Sequence, residues 1–354
     1  MKIVVRGTNW IGDAVMTIPA LRELRRIFPH AEILLHTRSW AKGIFQDAEF
    51  IDGIITFENV GSKFKTVAAQ SKNLKSHNFD LAVLFPSSFE SAFTAKLAKI
   101  PRRFGYAKEG RSFLLTDSVE IPVWKNEKHE SLYYLNLIAE IDKSFFNTEV
   151  FLQNELSADL KVSEERRIAA RKILEKAGVD PAKKTIALGV GSTNSRAKRW
   201  QTESYAELND KLQNDLDTNV ILVGASDELD ISNEVFEKSK IKPIILTGKT
   251  SLSEAVAVLS EIDLLISNDM GLAHIAPAVG TKTLVIFGPT NPQTTQPLGS
   301  EIIRRETVEC SPCMLRDCPI DHRCMTRISA AEVFERAKDI LNLKAQGRQD
   351  AKDF

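Results

Sequence analysis

The sequence predicts an α/β protein built from two successive doubly wound parallel sheets, and three observations carry that reading. Short apolar runs alternate with amphipathic helical stretches from the third residue onward. The runs are nearly continuous in apolar residues, the pattern of strands covered on both faces. A polar stretch of poor periodicity, Asp142 to Ser157, interrupts the series, and a second series then begins. A length of 354 residues fits two domains, expected at 1–155 and 156–354, whose strand ends would face a shared cleft.

In the first half, Ile3 to Val5, Ile33 to Leu35, Ile51 to Ile55 and Leu81 to Phe85 read as strands. The helix after the first strand carries Val15, Ile18, Leu21, Leu24 and Phe28 at helical spacing and stops at Pro29. Pro19 lies inside it and predicts a kink or a delayed start. Leu132 to Ile141 is a further helical pattern. In the second half the expected order is helix Glu164 to Lys176, strand Thr185 to Val190, helix Ser204 to Leu216, and strands Asn219 to Val223 and Pro243 to Leu246. Ser251 and Glu254 form a capping-box pattern opening a helix through Leu259. Strands Asp263 to Ser267 and Thr283 to Phe287 follow, and Ala330 to Leu343 makes a last amphipathic helix before a polar tail expected to fray.

Composition narrows the function classes. Lys plus Arg and Asp plus Glu both total 47, so no global charge recommends nucleic acid as a partner. Gly61 to Arg111 departs from this balance, with ten basic residues against three acidic ones. A solvated helix face or a surface for an anionic substrate or membrane would both show that bias. No apolar run is long enough to span a bilayer, and the amino terminus lacks the pattern of a signal peptide. The expected location is the cytoplasm.

The most informative stretch is Ile266 to His274, where an apolar run stops and a helical pattern starts at once. Such a turn aims unpaired backbone N–H groups and a helix dipole at one point, a natural seat for phosphate. Asp269 reads as a possible helix cap, Gly271 lets a ligand reach the backbone, and His274 lies one turn on. Gly191, Ser192 and Thr193 follow the preceding half-sheet strand and offer N–H and hydroxyl donors, with Lys198 as a mobile charge suited to a diphosphate. Gly224 to Glu228 ends another strand with acidic residues suited to ribose hydroxyls or to capping. In the first half, Gly7 to Asp13 is a strand-to-helix turn without G-x-G-x-x-G, so it carries no dinucleotide fingerprint. Position alone favours Asp13 as a cap, a role that does not exclude chemistry. Together these features suggest transfer from a nucleotide-activated donor to an anionic acceptor.

These segments, in this order, resemble the ADP-heptose:lipopolysaccharide heptosyltransferases, bacterial enzymes of the GT-B type with two Rossmann-like domains facing a central cleft. Gly7-Thr8-Asn9-Trp10-Ile11-Gly12-Asp13 resembles the acceptor-side turn. Phe85 to Ala92, followed by Ile100 to Tyr106, is similar to the heptosyltransferase II branch in particular, as are Ala197-Lys198-Arg199-Trp200 and Asn268 to His274. The resemblance implies inverting transfer of L-glycero-D-manno-heptose from ADP-heptose to the heptose-Kdo-lipid A inner core at the cytoplasmic face of the inner membrane. It implies no cofactor and no metal. Asp13 falls on the general base and Lys198 on the residue that stabilises departing ADP. Ser192, Thr193, Glu228, Asp269, Met270, Gly271 and His274 fall on the donor side; Trp10, Gly12, Lys96, Lys99, Arg102 and Arg103 are the acceptor-side candidates. Met270 departs from the Ser or Thr usual at its position and leaves only a backbone N–H for phosphate.

Two other readings compete. A related transferase would use ADP-heptose or another nucleotide sugar on a different surface glycan, since sugar choice turns on a few contacts. Alternatively, Cys310, Cys313, Cys318 and Cys324, with His322 nearby, have ligand types suited to zinc or an iron–sulfur cluster and would make the chain a metal-bearing interaction module. Their C-x2-C-x4-C-x5-C spacing is not that of a standard finger.

Overall fold

A computed structural model describes residues 1–148 and 156–350, with side chains described as far as 342. The chain divides into two compact units, Met1–Leu160 and Lys161–Phe354. Of the boundary expected at 155/156, residue 155 lies outside the described residues.

The first unit runs β1 (Lys2–Arg6), α1 (Ile11–Met16), α2 (Ile18–Ile27), β2 (Glu32–Arg38), α3 (Lys42–Phe45), β3 (Gly53–Phe57), α4 (Lys63–Ser76), β4 (Leu81–Leu84), α5 (Phe89–Leu97), β5 (Arg102–Tyr106), β6 (Asp117–Val119) and α6 (Glu130–Phe146). Its sheet order is β3-β2-β1-β4-β5-β6, and every pairing is parallel. The strand order grows outward in opposite directions from β1 and β4, so the turns after these two strands flank the switch point where open α/β sheets collect ligands. Val4, Ala82 and Leu84 pack with Leu74, Ala92 and Ala95 to form the core beneath α4 and α5. Pro19 has the effect its missing N–H dictates: the expected single helix is two, and proline sits in the first turn of α2, where no intrahelical donor is required. The strand expected at 51–55 is shifted to Gly53–Phe57, because Asp52 instead accepts from Ile33 N at 2.7 Å and pairs with Arg25.

The second unit runs α7 (Glu164–Lys176), β7 (Thr185–Gly189), α8 (Thr202–Leu216), β8 (Asn219–Leu222), α9 (Leu229–Lys238), β9 (Ile244–Ile245), α10 (Leu252–Leu259), β10 (Leu264–Asn268), α11 (Gly271–Ala278), β11 (Lys282–Ile286), α12 (Pro292–Thr295), β12 (Glu301–Ile303), α13 (Arg323–Thr326) and α14 (Ala330–Asp350). Its order, β12-β11-β10-β7-β8-β9, repeats the parallel doubly wound plan with the switch point between β7 and β10. Ile186, Leu188, Leu264 and Ile266 are fully buried against α8 and α14. The capping box at α10 forms as its residues require: Ser251 Oγ accepts from Glu254 N, and Glu254 accepts from Ser251 N at 2.8 Å. The last helix continues to Asp350, past the Leu343 end that the sequence suggests; 351–354, the end of the expected frayed tail, lie outside the described residues. No helix among the described residues is long and apolar enough to cross a membrane.

Candidate active site

In the first unit, the turn between β1 and α1 presents Trp10 and Asp13 at the carboxyl edge of the sheet. Trp10, not an aspartate, occupies the cap position of α1; it makes no side-chain cap bond and is 55% exposed. Asp13 is the third helical residue, half-buried, so the capping reading of Asp13 does not hold. Its charge reaches the buried Tyr134 of α6, whose hydroxyl is held well above its ordinary value by burial first and by Asp13 next. Gly12 lies between Trp10 and Asp13 in the same turn.

The turn after β4 is fixed from below by Arg111. Its Nη1 donates to Pro86 O at 2.6 Å, Ser88 O at 3.0 Å and Ser91 Oγ at 2.9 Å, and its Nε donates to Tyr106 O at 3.0 Å. Arg111 is fully buried, and burial brings its guanidinium down to about 10. The last residue of β1 is a second buried cation, Arg6, brought down to about 9 by burial. Its carbon Cζ lies 3.7 Å from the centroid of Phe57, its Nη1 lies 3.5 Å from His36 Nδ1, and its Nε has no partner. His36 is held well below 6.5 by burial and then by Arg6, so it stays neutral.

The four basic candidates are not at this edge. Lys96 and Lys99 lie at and just beyond the end of α5, and Arg102 and Arg103 start β5. In a parallel unit those positions belong to the amino edge of the strands, opposite Asp13. Arg102 is committed to Asp117 at 2.5 Å and Ser144 at 2.8 Å, and Arg103 donates to Leu114 O at 2.8 Å.

The second unit gathers its candidates tightly. Asp269, 5% exposed, accepts from Lys198 Nζ at 2.7 Å and from Thr290 Oγ1 at 2.8 Å. It precedes the cap of α11 instead of forming it; Met270 is the cap, with Gly271 first in the helix and His274 buried one turn on. Met270 packs against the cluster of Ala273, Val285 and Phe287, which gives an apolar residue there a packing role in place of a hydroxyl. Asn268, fully buried, locks the two switch-point turns together. Its Oδ1 accepts from Trp200 N at 2.9 Å and Tyr205 Oη at 3.0 Å, and its Nδ2 donates to Val190 O at 2.9 Å and Gly191 O at 3.1 Å. This network holds the loop bearing Lys198 at the amino end of α11, and α11 aims its first N–H groups at the same place.

Glu228 closes the other side. It is buried, its Oε2 accepts from Ala225 N at 2.9 Å, and burial raises its carboxyl above the ordinary range. Thr193 Oγ1 lies 3.4 Å from Glu228 Oε1, beside Ser192, whose carbonyl accepts from Arg199 at 3.1 Å. A Cβ on Gly191 would lie 2.1 Å from Glu228 Oε1, so only glycine lets this carboxylate reach the turn. Thr290, Asn268 and Arg199 were not among the site residues inferred from sequence. Thr290 had a signal, a Gly-Pro-Thr turn at the carboxyl end of β11, whereas the linking role of Asn268 depends on contacts between distant segments.

The four cysteines all lie in the second unit. All four are unpaired, Cys310 and Cys313 exposed and Cys324 buried, and no group of three or more His, Cys, Asp or Glu among the described residues could hold a metal ion. Cys324 joins the second core, and burial, followed by the other three thiols, pushes it up to about 11.

Comparison with known proteins places the chain in a family. The chain is 28% identical over 353 residues to lipooligosaccharide heptosyltransferase 2 of Campylobacter jejuni, covering 96% of this chain and 98% of that protein. It is 28% identical to lipopolysaccharide heptosyltransferase 2 of Escherichia coli, covering 84% and 86% respectively. The structure of ADP-heptose LPS heptosyltransferase II from E. coli is similar at a TM-score of 0.82 and 25% identity, covering 98% of this chain and 100% of that one. The profile of glycosyltransferase family 9 (heptosyltransferase) matches residues 67–323, and the chain belongs to that family.

Proposed function

We propose that this glycosyltransferase moves L-glycero-D-manno-heptose from ADP-heptose to the heptose-Kdo-lipid A inner core of lipopolysaccharide, as a heptosyltransferase II. The observation that carries the reading is the Lys198–Asp269–Thr290 cluster at the amino end of α11. A cation held in place by a buried carboxylate, next to free helix N–H groups, suits a nucleoside diphosphate both before and after its bond to the sugar breaks. The relatives' names support a heptose, its ADP-linked donor and a lipopolysaccharide or lipooligosaccharide product.

In this reading the second unit binds the donor. Met270 and Gly271 offer backbone N–H groups and Lys198 offers its ammonium to the diphosphate. Glu228 accepts from ribose hydroxyls, and Ser192, Thr193 and His274 complete the surround. The first unit presents the acceptor. Asp13 takes the proton of the attacking hydroxyl as the C1–O bond forms and the bond to ADP breaks, inverting the anomeric centre with no covalent enzyme intermediate. Trp10 and Gly12 shape the sugar seat beside it. Because Lys198 and the helix terminus already offset the developing negative charge, turnover is expected to persist in excess chelator. The enzyme works in the cytoplasm, peripheral to the inner membrane where its acceptor resides.

The test is ADP release by the full chain with ADP-heptose and heptosyl-Kdo-lipid A, read with mass analysis of the product. One added heptose is expected. Turnover with a different nucleotide sugar and none with ADP-heptose would favour the related-transferase reading instead.

A further inference from the structure

The outer face of α5 is an unusual surface for an enzyme with balanced charge. Phe89, Phe93 and Leu97 follow one another at four-residue spacing and so share a stripe. Phe113, on the short helical turn 112–114, lies beside them: its ring centroid is 6.1 Å from that of Phe89, and Phe89 is 5.9 Å from Phe93. Phe89, Leu97 and Phe113 are 42%, 45% and 67% exposed. Phe113 is not on a loose loop. The adjacent Arg111 is buried and makes four hydrogen bonds, and Leu114 N donates to Arg111 O at 2.9 Å. The aromatic ring is thus held out on a rigid base.

A cationic rim surrounds these apolar groups. Lys96 Nζ lies 5.5 Å from the Phe113 ring centroid and 3.5 Å from Phe113 O. Arg103 anchors the next residue through Leu114 O, and Lys99 is exposed two residues past the end of the helix. Glu90 is the one acid in α5 and is half-buried. Exposed aromatic groups ringed by Lys and Arg match the apolar boundary and anionic headgroups of a lipid surface. A second copy fits poorly, because a two-fold pairing of this face would set the basic rim against itself.

We propose that the α5 face, with Phe89, Leu97 and Phe113 as anchors and Lys96, Lys99 and Arg103 as rim, docks on an anionic membrane surface. The inference deepens the proposed function, since it rests on an acceptor that resides in a lipid leaflet. It also gives the basic residues at the amino edge of the sheet a partner other than the reacting sugar.

The experiment is co-sedimentation of the full chain, without donor or acceptor, with vesicles of phosphatidylethanolamine and phosphatidylglycerol or of phosphatidylcholine alone. Wild type should bind the anionic vesicles, lose binding in high salt, and bind the neutral ones weakly. Phe113→Ser, and Phe89→Ser with Phe113→Ser, should lower the bound fraction by at least about tenfold for the pair. Phe113→Ser should retain its unfolding temperature and its turnover on a delipidated, water-soluble acceptor. Equal binding by the substituted chains, equal binding to neutral vesicles, or no binding by wild type would overturn the proposal. So would self-association abolished by the same substitutions. Because no sugar is present, failure of heptose transfer would sink the proposed function and leave the vesicle result standing.

Discussion

The two switch points share one topology and differ in how they handle charge. In the second unit a buried carboxylate, Asp269, is met by an ammonium and a hydroxyl, and Asn268 ties both flanking turns together. In the first unit the buried charges at the sheet edge are guanidiniums, and Arg6 retains an unpartnered Nε against a neutral imidazole. A preassembled ion pair suits a site that must grip a charged leaving group in a fixed place. Asp13 instead sits half-buried in the first turn of a six-residue helix, where a hydroxyl-bearing acceptor can approach it. The contrast is what the proposed function needs, with diphosphate binding in one unit and proton removal in the other.

The largest effect that would break this division is at Asp13. Asp13→Asn is expected to lower kcat by about 10²- to 10⁴-fold with ADP-heptose affinity unchanged; near-normal turnover in steady-state assays would remove the base. Lys198→Met is next, with an expected loss of about 10²- to 10³-fold in kcat/KM and unchanged acceptor saturation. Stability measurements sharpen the contrast further. Asp269→Asn removes the carboxylate that Lys198 faces and should cost about 2–3 kcal/mol in denaturant unfolding, less than a fully buried pair because Lys198 reaches solvent. Arg6→Met, which removes a buried cation lacking a carboxylate within ion-pair distance, should change stability by less than about 1 kcal/mol and in the stabilising direction.

The smallest effect is a pH dependence confined to the first unit. The folded state keeps His36 neutral well below 6.5, whereas the unfolded chain protonates it near that value. As pH falls through 6.5 the unfolded state therefore takes up a proton that the folded state refuses, and stability declines toward the lower folded value. His36→Gln should flatten that part of a stability-versus-pH curve from chemical denaturation.

The sheets, their near-continuous apolar strands and most helices were legible in the sequence because burial on both faces leaves a local signature: β10 and its neighbour β7 are buried throughout and mostly apolar. The strands β5, β6 and β12 were not inferred. Arg102-Arg103 opens one, and the other two have three residues each at sheet edges, where pairing with a neighbour outweighs local pattern. At the site, Lys198, Asp269 and Glu228 were visible as charged residues following strands. Their bond lengths were not, nor was Thr290, because tertiary contacts between distant residues leave no periodicity. The basic segment before Arg111 was visible too, but composition could not tell the carboxyl edge of the sheet from its amino edge. Helix direction decides that, and it moves Lys96 and Lys99 away from Asp13.

Calorimetric titration of ADP into the full wild-type chain, Asp13→Asn and Lys198→Met tests the division of labour most directly. The account predicts that Asp13→Asn binds ADP as wild type does and that Lys198→Met binds it at least about tenfold more weakly, the loss of one charge-assisted contact. Weakened binding in Asp13→Asn alongside undiminished binding in Lys198→Met would contradict it.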